Sequence, residues 1–124
     1  MIILDTDVLI EIFDKSSVKG DFVISKLEET GEDIAITSLN LHEILYGIKK
    51  YGKKKVKNLD QLETIAFTDE DARLSSQLEL DCERKGKPIF RIDSMIAGIV
   101  INRKAKLYTF KKKNFESFDS LQLI

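Results

Sequence analysis

The sequence predicts an α/β fold, a three-layer α/β/α sandwich with a four- to five-stranded parallel sheet between helices. Short aliphatic runs, the first of them Ile2, Ile3 and Leu4, recur along the chain and alternate with segments of helical apolar spacing. With one Pro and six Gly in 124 residues, no linker or low-complexity stretch interrupts the pattern. We therefore expect one domain over residues 1–124, with right-handed crossovers between its strands.

Apolar spacing and capping residues define each predicted element in the first half of the chain. Thr6 is expected to cap a helix that Asp7 begins, and Ser38 to cap the helix after the second strand. Gly31 and Gly52 are natural helix ends. The predicted strands are residues 2–4, 33–37 and 65–67. The further predicted helices are 18–30, 38–50 and 56–63. The first of these has an inward stripe of Val18, Phe22, Val23 and Leu27.

The second half of the chain is predicted to hold two long helices and two strands. Thr68 or Asp69 caps a helix that extends to Arg84, before a Gly and Pro stretch that ends it. Residues 95–101 are apolar on nearly every face, and their flanks favour a buried helix over 92–104, with Asp93 in its first turn. Residues 106–109 and 121–124 read as the last strands.

The composition excludes several classes of protein. The net charge is −1 with 33% charged residues, so the chain as a whole is not a basic nucleic-acid-coating protein. One Cys and one His cannot form a Cys/His zinc site within one chain or an internal disulfide. No apolar run reaches transmembrane length, and the N-terminus does not resemble a signal peptide, so we expect a cytoplasmic protein.

Three carboxylates occupy positions suited to chemistry. Asp5 follows the first strand, Glu43 lies in the helix after the second strand but off its apolar stripe, and Asp93 opens the most apolar helix. Ligands of open α/β sheets bind at the carboxyl ends of the strands. Acids beside an apolar core are costly without a compensating positive charge, and a metal ion would provide it. Taken singly, each acid also has a plain interpretation as a helix cap or a surface acid.

Four segments of the sequence carry these acids in a characteristic order: IILDTDVLIEIF, ITSLNLHEILYGI, KPIFRIDSMIAGIVI and KLYTFKKKNFESF. In order and spacing they resemble the motif blocks of PIN-domain ribonucleases, in particular the VapC-type toxins of VapBC toxin–antitoxin pairs. The resemblance covers essentially the whole chain. It implies acids that converge on one cleft, a bound Mg²⁺ or Mn²⁺, hydrolysis of RNA phosphodiester bonds, a homodimer and a small VapB-like antitoxin partner.

The resemblance also assigns site residues. Asp5, Glu43 and Asp93 match the family's first three metal-binding acids and are the expected catalytic residues. Asn114 stands where the family commonly has Asp, so the site would hold one negative charge fewer. Asp7 stands where the family often has Asn or Ser, and we hypothesise that its extra carboxylate offsets this loss. Asn114 and Asp7 are therefore the weaker candidates for metal ligands.

Hydroxyl and basic side chains complete the expected site. Thr6 and Thr109 are expected to hydrogen-bond the metal-binding acids, as hydroxyls around metal sites often do. His42 points about 100° away from Glu43 on the same helix and is expected at the surface. The residues expected to hold RNA phosphates are Lys111, Lys112, Lys113 and Arg91.

Two other classes of protein fit parts of the sequence. A haloacid-dehalogenase-like phosphatase would use Asp5 as nucleophile and Asp7 as general acid, although no late acidic pair matches its metal motif. A non-catalytic module, either receiver-like or an RNA-binding PIN domain weakened by Asn114, would share the length and the alternating pattern.

Overall fold

A five-stranded, all-parallel sheet with helices on both faces confirms the predicted fold class. The structure is a computed structural model that describes residues 1–52 and 58–124. Its elements are β1 (Ile2–Leu4), α1 (Thr6–Phe13), α2 (Val18–Thr30), β2 (Ile34–Thr37), α3 (Ser38–Tyr51), a 3-10 turn (Leu59–Gln61), β3 (Glu63–Ile65), α4 (Asp69–Arg84), α5 (Arg91–Asn102), β4 (Lys106–Tyr108), α6 (Lys112–Phe115) and β5 (Gln122–Leu123). None of the helices in these described ranges is long and apolar enough to cross a membrane.

Strand β1 lies at the centre of the sheet, whose order is β3-β2-β1-β4-β5. Its alternating side chains enter two separate cores: Ile3 packs with α5 on one face, while Ile2 and Leu4 pack with α1 and α2 on the other. Because β1 pairs with both β2 and β4, the residue that follows β1 lies between the ends of its neighbours. Receiver-like folds have the order 2-1-3-4-5, so this topology contradicts the receiver-like alternative.

Two helix caps lie one residue earlier than predicted. Asp5, not Thr6, is the N-cap of α1, and its side chain accepts a hydrogen bond from the Thr6 backbone N–H. Thr37, not Ser38, caps α3 and forms a capping box with Asn40. In both places the last residue in extended conformation already has the backbone geometry of a cap, so helix follows strand without an intervening residue.

The predicted helix over 56–63 and the strand over 65–67 were placed incorrectly. Residues 53–57 lie outside the described residues, and the following segment forms only the 3-10 turn before β3 begins at Glu63. β3 is an edge strand whose Glu63 and Thr64 are exposed, so no hydrophobic alternation marks it in the sequence. The 68–84 and 92–104 predictions agree with α4 and α5 to within about two residues.

Helix α2 has the predicted bounds, but its buried face is only partly the predicted one. Val23 and Leu27 are buried, whereas Val18 and Phe22 are 82% and 67% exposed. The buried face includes Gly20, because α2 approaches α1 so closely that a Cβ there would lie 2.1 Å from the Glu11 carbonyl oxygen. Gly20 therefore allows the close approach of these two helices because it lacks a side chain, and not because of its backbone conformation.

We predict that Gly20→Ala lowers the free energy of unfolding by roughly 1–3 kcal/mol, because the added methyl group overlaps the α1 backbone. Urea unfolding followed by circular dichroism measures the change. Gly47→Ala is the matched control, since a Cβ at that helical position meets nothing within 4 Å. That control should be neutral or stabilising by up to about 1 kcal/mol. A neutral Gly20→Ala would contradict the close approach.

Candidate active site

Asp5 occupies the centre of the carboxyl edge of the sheet and is held by three hydrogen bonds from neutral groups. Its Oδ1 accepts from the Thr6 backbone N–H at 2.9 Å and from Asn40 Nδ2 at 3.2 Å. Its Oδ2 accepts from the Thr109 hydroxyl at 2.8 Å. Only 7% of Asp5 is exposed. These donors come from α1, α3 and the segment after β4, so the orientation of the carboxylate is fixed from three directions.

Glu43 is connected to Asp5 through Thr6. The Thr6 hydroxyl accepts a hydrogen bond from Asn40 Nδ2 at 3.1 Å and donates one to Glu43 Oε1 at 3.0 Å. Asn40 and Glu43 are three residues apart on α3, so they lie on the same side of that helix. Glu43 itself is exposed. It therefore stands at the rim of the cleft rather than inside it.

Asp93 is a buried acid whose charge is poorly compensated. It lies in the first turn of α5, and its Oδ2 is buried with no hydrogen-bond partner among the described residues. Burial first, and then the negative charge of Asp5, raises the pKa of Asp93 from 3.8 to about 6. Lys111 opposes this rise and Glu43 adds a little to it. Asp5, Glu43 and Asp93 therefore act on one another electrostatically.

Asp7 also faces the cleft rather than open solvent. Its Oδ1 accepts a long hydrogen bond of 3.5 Å from the Phe110 backbone N–H. Its Oδ2 is buried and has no partner within residues 1–52 and 58–124. Burial, followed by the charge of Asp5, raises the pKa of Asp7. Asp7 is therefore not a solvated acid of the first turn of α1, although that position alone would suggest one.

The residues at this edge fit a divalent cation in their chemistry. Asp7 and Asp93 each present a buried carboxylate oxygen that lacks a donor, and hard cations such as Mg²⁺ prefer oxygen ligands. As they stand, no three His, Cys, Asp or Glu side chains in the described part of the chain are gathered tightly enough to hold a metal. Asp5 and Glu43 are instead turned towards their hydrogen-bond donors. Mg²⁺ usually keeps several waters and needs only one or two carboxylates, so this arrangement is compatible with it.

A buried acid away from this edge, Asp71, shows that burial alone does not raise the pKa of a carboxylate in this protein. Asp71 is fully buried between α4 and α5 and accepts hydrogen bonds from Arg103 at 2.7 Å and Asn102 at 2.8 Å. Burial by itself would raise the pKa of Asp71, but these donors and Thr68 outweigh burial and lower it to about 2. Both oxygens of Asp71 therefore have hydrogen-bond donors, as in a structural acid. Asp93 has a buried oxygen without a donor and a raised pKa, and such a group is typical of a functional site.

The fourth motif brings Thr109 and Lys111 close to the acids and directs its other residues into a neighbouring cavity. Asn114 is half-buried in α6 and lines a cavity of about 640 Å³, together with Lys111, Lys112 and Lys113. No hydrogen bond joins the Asn114 side chain to an acid in the described ranges. The Lys111 charge lowers the pKa of both Asp7 and Asp93. This lysine is therefore close to the acidic cleft, as we name the site formed by Asp5, Asp7, Glu43 and Asp93.

Arg91 has a different environment from the predicted RNA-binding lysines. Its guanidinium forms a bidentate pair with Glu79, with Nε to Oε1 at 3.1 Å and Nη2 to Oε2 at 3.1 Å. The predicted role of Arg91 in RNA binding therefore competes with an ion pair inside the protein. The Ser94 hydroxyl donates a hydrogen bond to the Arg91 carbonyl oxygen.

His42 is exposed, as the sequence predicted.

Asn40 is the site residue that sequence reasoning missed. It is fully buried, accepts from Thr37 in the capping box and donates to both Asp5 and Thr6. The signal was present as the Thr-x-x-Asn spacing in ITSLN, a variant of the capping box. The sequence did not predict the bonds from Asn40 to Asp5 and Thr6, because these residues lie 35 and 34 positions before Asn40 in the chain.

Comparison with known proteins identifies similar chains. The family model described as PIN domain matches residues 2–121. Ribonuclease VapC2 of Rickettsia felis is 32% identical over 129 residues, which cover 97% of this chain and 93% of that protein. The crystal structure of VapBC2 from Rickettsia felis, bound to a DNA fragment from their promoter, matches with 28% identity and a TM-score of 0.84, covering 100% of this chain and 98% of that chain.

A more distant structure shares the fold alone. DNA-bound VapBC from Salmonella typhimurium matches with 22% identity and a TM-score of 0.84, covering 99% of this chain and 96% of that chain.

We predict that ionisation of Asp93 destabilises the metal-free protein. The pKa of Asp93 is about 6 in the folded chain against an ordinary 3.8, so the folded state binds the extra proton between these values. The free energy of unfolding should therefore fall as pH rises through that window, and Asp93→Asn should remove this contribution. Urea unfolding in EDTA across the window measures it, with Asp33→Asn as an exposed control. The same pH dependence in wild type and Asp93→Asn would contradict the assignment.

Proposed function

The chain belongs to the PIN domain family, and on that premise we propose that it is a divalent-metal-dependent endoribonuclease, the toxin of a type II toxin–antitoxin pair. The observation that carries the proposal is that Asp93, in the first turn of α5, has a buried oxygen without a donor and lies close enough to Asp5 for the Asp5 charge to raise its pKa. We take residues 1–124 as one PIN domain.

The proposed cofactor is Mg²⁺ or Mn²⁺. Asp5, Asp93 and Glu43 would hold it, and Asn114 and Asp7 are the weaker candidates. When bound, the cation supplies Lewis-acid polarisation of the scissile phosphate and an activated water. Its positive charge would also relieve the repulsion between these acids.

The chain's own residues orient the site in this proposal. Asn40 and Thr109 fix the Asp5 carboxylate by hydrogen bonds of 3.2 and 2.8 Å. Thr6 holds Glu43 at the rim through a 3.0 Å bond. Such supporting hydrogen bonds set ligand orientation and typically matter 10–100-fold in metal affinity or activity. Thr6 and Thr109 would thus act through the acids rather than on the RNA.

The proposed partners follow from the similar proteins. The Rickettsia felis and Salmonella typhimurium structures are VapBC assemblies bound to DNA. We propose that this chain likewise pairs with a VapB-like antitoxin, which would cover the acidic cleft. We also propose a homodimer that acts on RNA in the cytoplasm.

Two alternatives to a ribonuclease receive less support. A haloacid-dehalogenase-like phosphatase would need Asp5 as a free nucleophile, whereas both Asp5 oxygens accept hydrogen bonds and its side chain is buried. Membership of the PIN domain family also favours nuclease chemistry. A PIN domain that binds RNA without cleaving it differs from the proposal only in the outcome of the cleavage assay.

We predict that the purified protein cleaves total cellular RNA with Mg²⁺ or Mn²⁺, and that EDTA abolishes cleavage. Asp5→Asn should lower the rate by about 100-fold or more, since it removes a charge from the metal-binding acids. Gel analysis of RNA fragments measures the rate. Asp33→Asn, an exposed acid before β2, is the control and should cleave normally. Cleavage that survives both EDTA and Asp5→Asn would refute the metal mechanism.

We predict that the carboxylate of Asp7 compensates for the negative charge that is missing at Asn114. Asn114→Asp should raise Mn²⁺ affinity roughly tenfold and Asp7→Asn should lower it by a similar factor, because each changes one carboxylate near the cation. The double variant should bind about as tightly as the wild type. Isothermal titration calorimetry measures all three. A gain for Asn114→Asp with no loss for Asp7→Asn would exclude compensation.

A further inference from the structure

We propose that a basic groove beside the acidic cleft binds the RNA strand next to the scissile phosphate, and that Lys26 of α2 is one of its phosphate-binding residues. The inference rests on the proposed ribonuclease function, because it names the path of that substrate. The basic groove is defined by its lining residues Lys26, Lys111, Lys112, Lys113, Tyr108 and Phe110.

The basic groove has the size and position of a nucleotide site. It is the cavity of about 640 Å³ that Asn114 and Ile124 also line. Tyr108 and Phe110 form part of its lining and pack edge to face, with ring centroids 6.1 Å apart. Lys26 comes from a helix distant in sequence, so the groove exists only in the folded chain.

The basic groove is physically joined to the acidic cleft by Thr109. The Thr109 hydroxyl donates to Asp5 Oδ2 at 2.8 Å and accepts from the Lys111 backbone N–H at 3.0 Å. One side chain therefore touches the central acid and fixes the first lysine of the groove. The Lys111 charge also reaches Asp7 and Asp93, whose pKa values it lowers. A strand that crosses the cleft would enter the groove over Lys111.

The lysines of the basic groove are free to bind an anion. No carboxylate lies within ion-pair distance of Lys26 or of the three lysines after Phe110, as far as the described residues show. Arg91 and Lys106, in contrast, are each paired with a glutamate. Lys26 instead places its ammonium group 5.3 Å from the Tyr108 ring centroid. Such a contact positions a cation without neutralising it.

Lys19 adds a further cation at the side of the groove. Its ammonium group lies 3.8 Å from the Phe110 ring centroid, and Lys19 precedes Lys26 by about two turns of α2. It covers one face of Phe110, so this ring supports a cation rather than offering that face to a base. The groove is therefore suited to backbone phosphates rather than to reading base identity.

Charge complementarity favours RNA over an acidic peptide as the occupant. A groove with four lysines attracts any polyanion, but the adjoining cleft is lined by acids. RNA carries phosphates at regular intervals, so one can meet the cation of the cleft while the next meets the lysines. An acidic peptide could offer carboxylates to both the lysines and the cation, but it carries no scissile phosphate for the proposed hydrolysis. We therefore assign the groove to single-stranded RNA.

Fluorescence anisotropy with a labelled single-stranded oligouridylate tests the proposal in EDTA, where cleavage is blocked. Lys26→Gln should weaken binding several-fold and reduce the slope of log affinity against log salt by about 0.7, the value for one phosphate contact to a single strand. Lys26→Arg should restore both, which separates loss of charge from loss of folding. Lys104→Gln is the matched control, because it removes an exposed lysine before β4 at the opposite edge of the sheet.

The outcomes separate this inference from the proposed function. Unchanged affinity and slope for Lys26→Gln, or no RNA binding by the wild type, would overturn the basic groove even if the protein cleaves RNA. Weakened binding by Lys26→Gln in a protein that cleaves nothing would support the groove and refute the nuclease. Where cleavage occurs, Lys26→Gln should raise KM and leave kcat unchanged. Competition by oligoglutamate as effective as unlabelled RNA would assign the groove to an acidic protein instead.

Discussion

The structure depends on one constraint, a carboxylate buried at the end of the central strand. Asp5 follows β1 directly, and hydrogen bonds from Asn40 and Thr109 reach it from the segments after β2 and β4. These are the two strands that flank β1, so the same parallel pairing that builds the core also brings the donors to Asp5. The acid caps α1 as well. The Asp5 side chain thus connects the ends of three strands, the N-terminus of α1 and the acidic cleft.

The negative charge of Asp5 shapes its surroundings. It raises the pKa of both Asp7 and Asp93, after the larger effect of burial in each case. The fold satisfies another buried acid, Asp71, with an arginine and an asparagine, yet leaves an oxygen of Asp7 and of Asp93 without a donor. A protein pays for such buried oxygens in stability unless a cation binds there. Under the proposed function, a cation would bind these oxygens, and the lysines of the basic groove would hold the anion on which it acts.

The sequence was sufficient for the fold class and for the carboxyl ends of the neighbouring strands β1 and β2. It singled out Asp5 and Asp93 because each adjoins an apolar run, and Glu43 because it lies off the apolar stripe of α3, and their role as metal ligands stays a prediction. The predictions that were wrong concern residues at the protein surface, where local sequence patterns did not indicate burial or strand pairing. Edge strand β3 carries no hydrophobic alternation, and the exposed Phe22 lay within a helical apolar pattern.

Long-range polar contacts were the other part that the sequence did not predict. Asn40 reaches Asp5 across 35 positions, and Arg91 is paired with Glu79 across 12, although its position had suggested RNA binding. Lys26 joins the other lysines of the basic groove only because α2 packs beside the end of β4. Such contacts depend on how elements pack against one another, which periodicity and capping rules do not specify.

The central claim is that Asp5 and Asp93 belong to one cation site at the carboxyl edge of β1. Anomalous X-ray diffraction from crystals soaked in Mn²⁺ tests it most directly. The account predicts an anomalous peak within coordination distance of carboxylate oxygens of both residues, and no peak there in Asp93→Asn crystals. Mn²⁺ that binds elsewhere while these carboxylates keep their present hydrogen bonds would contradict it.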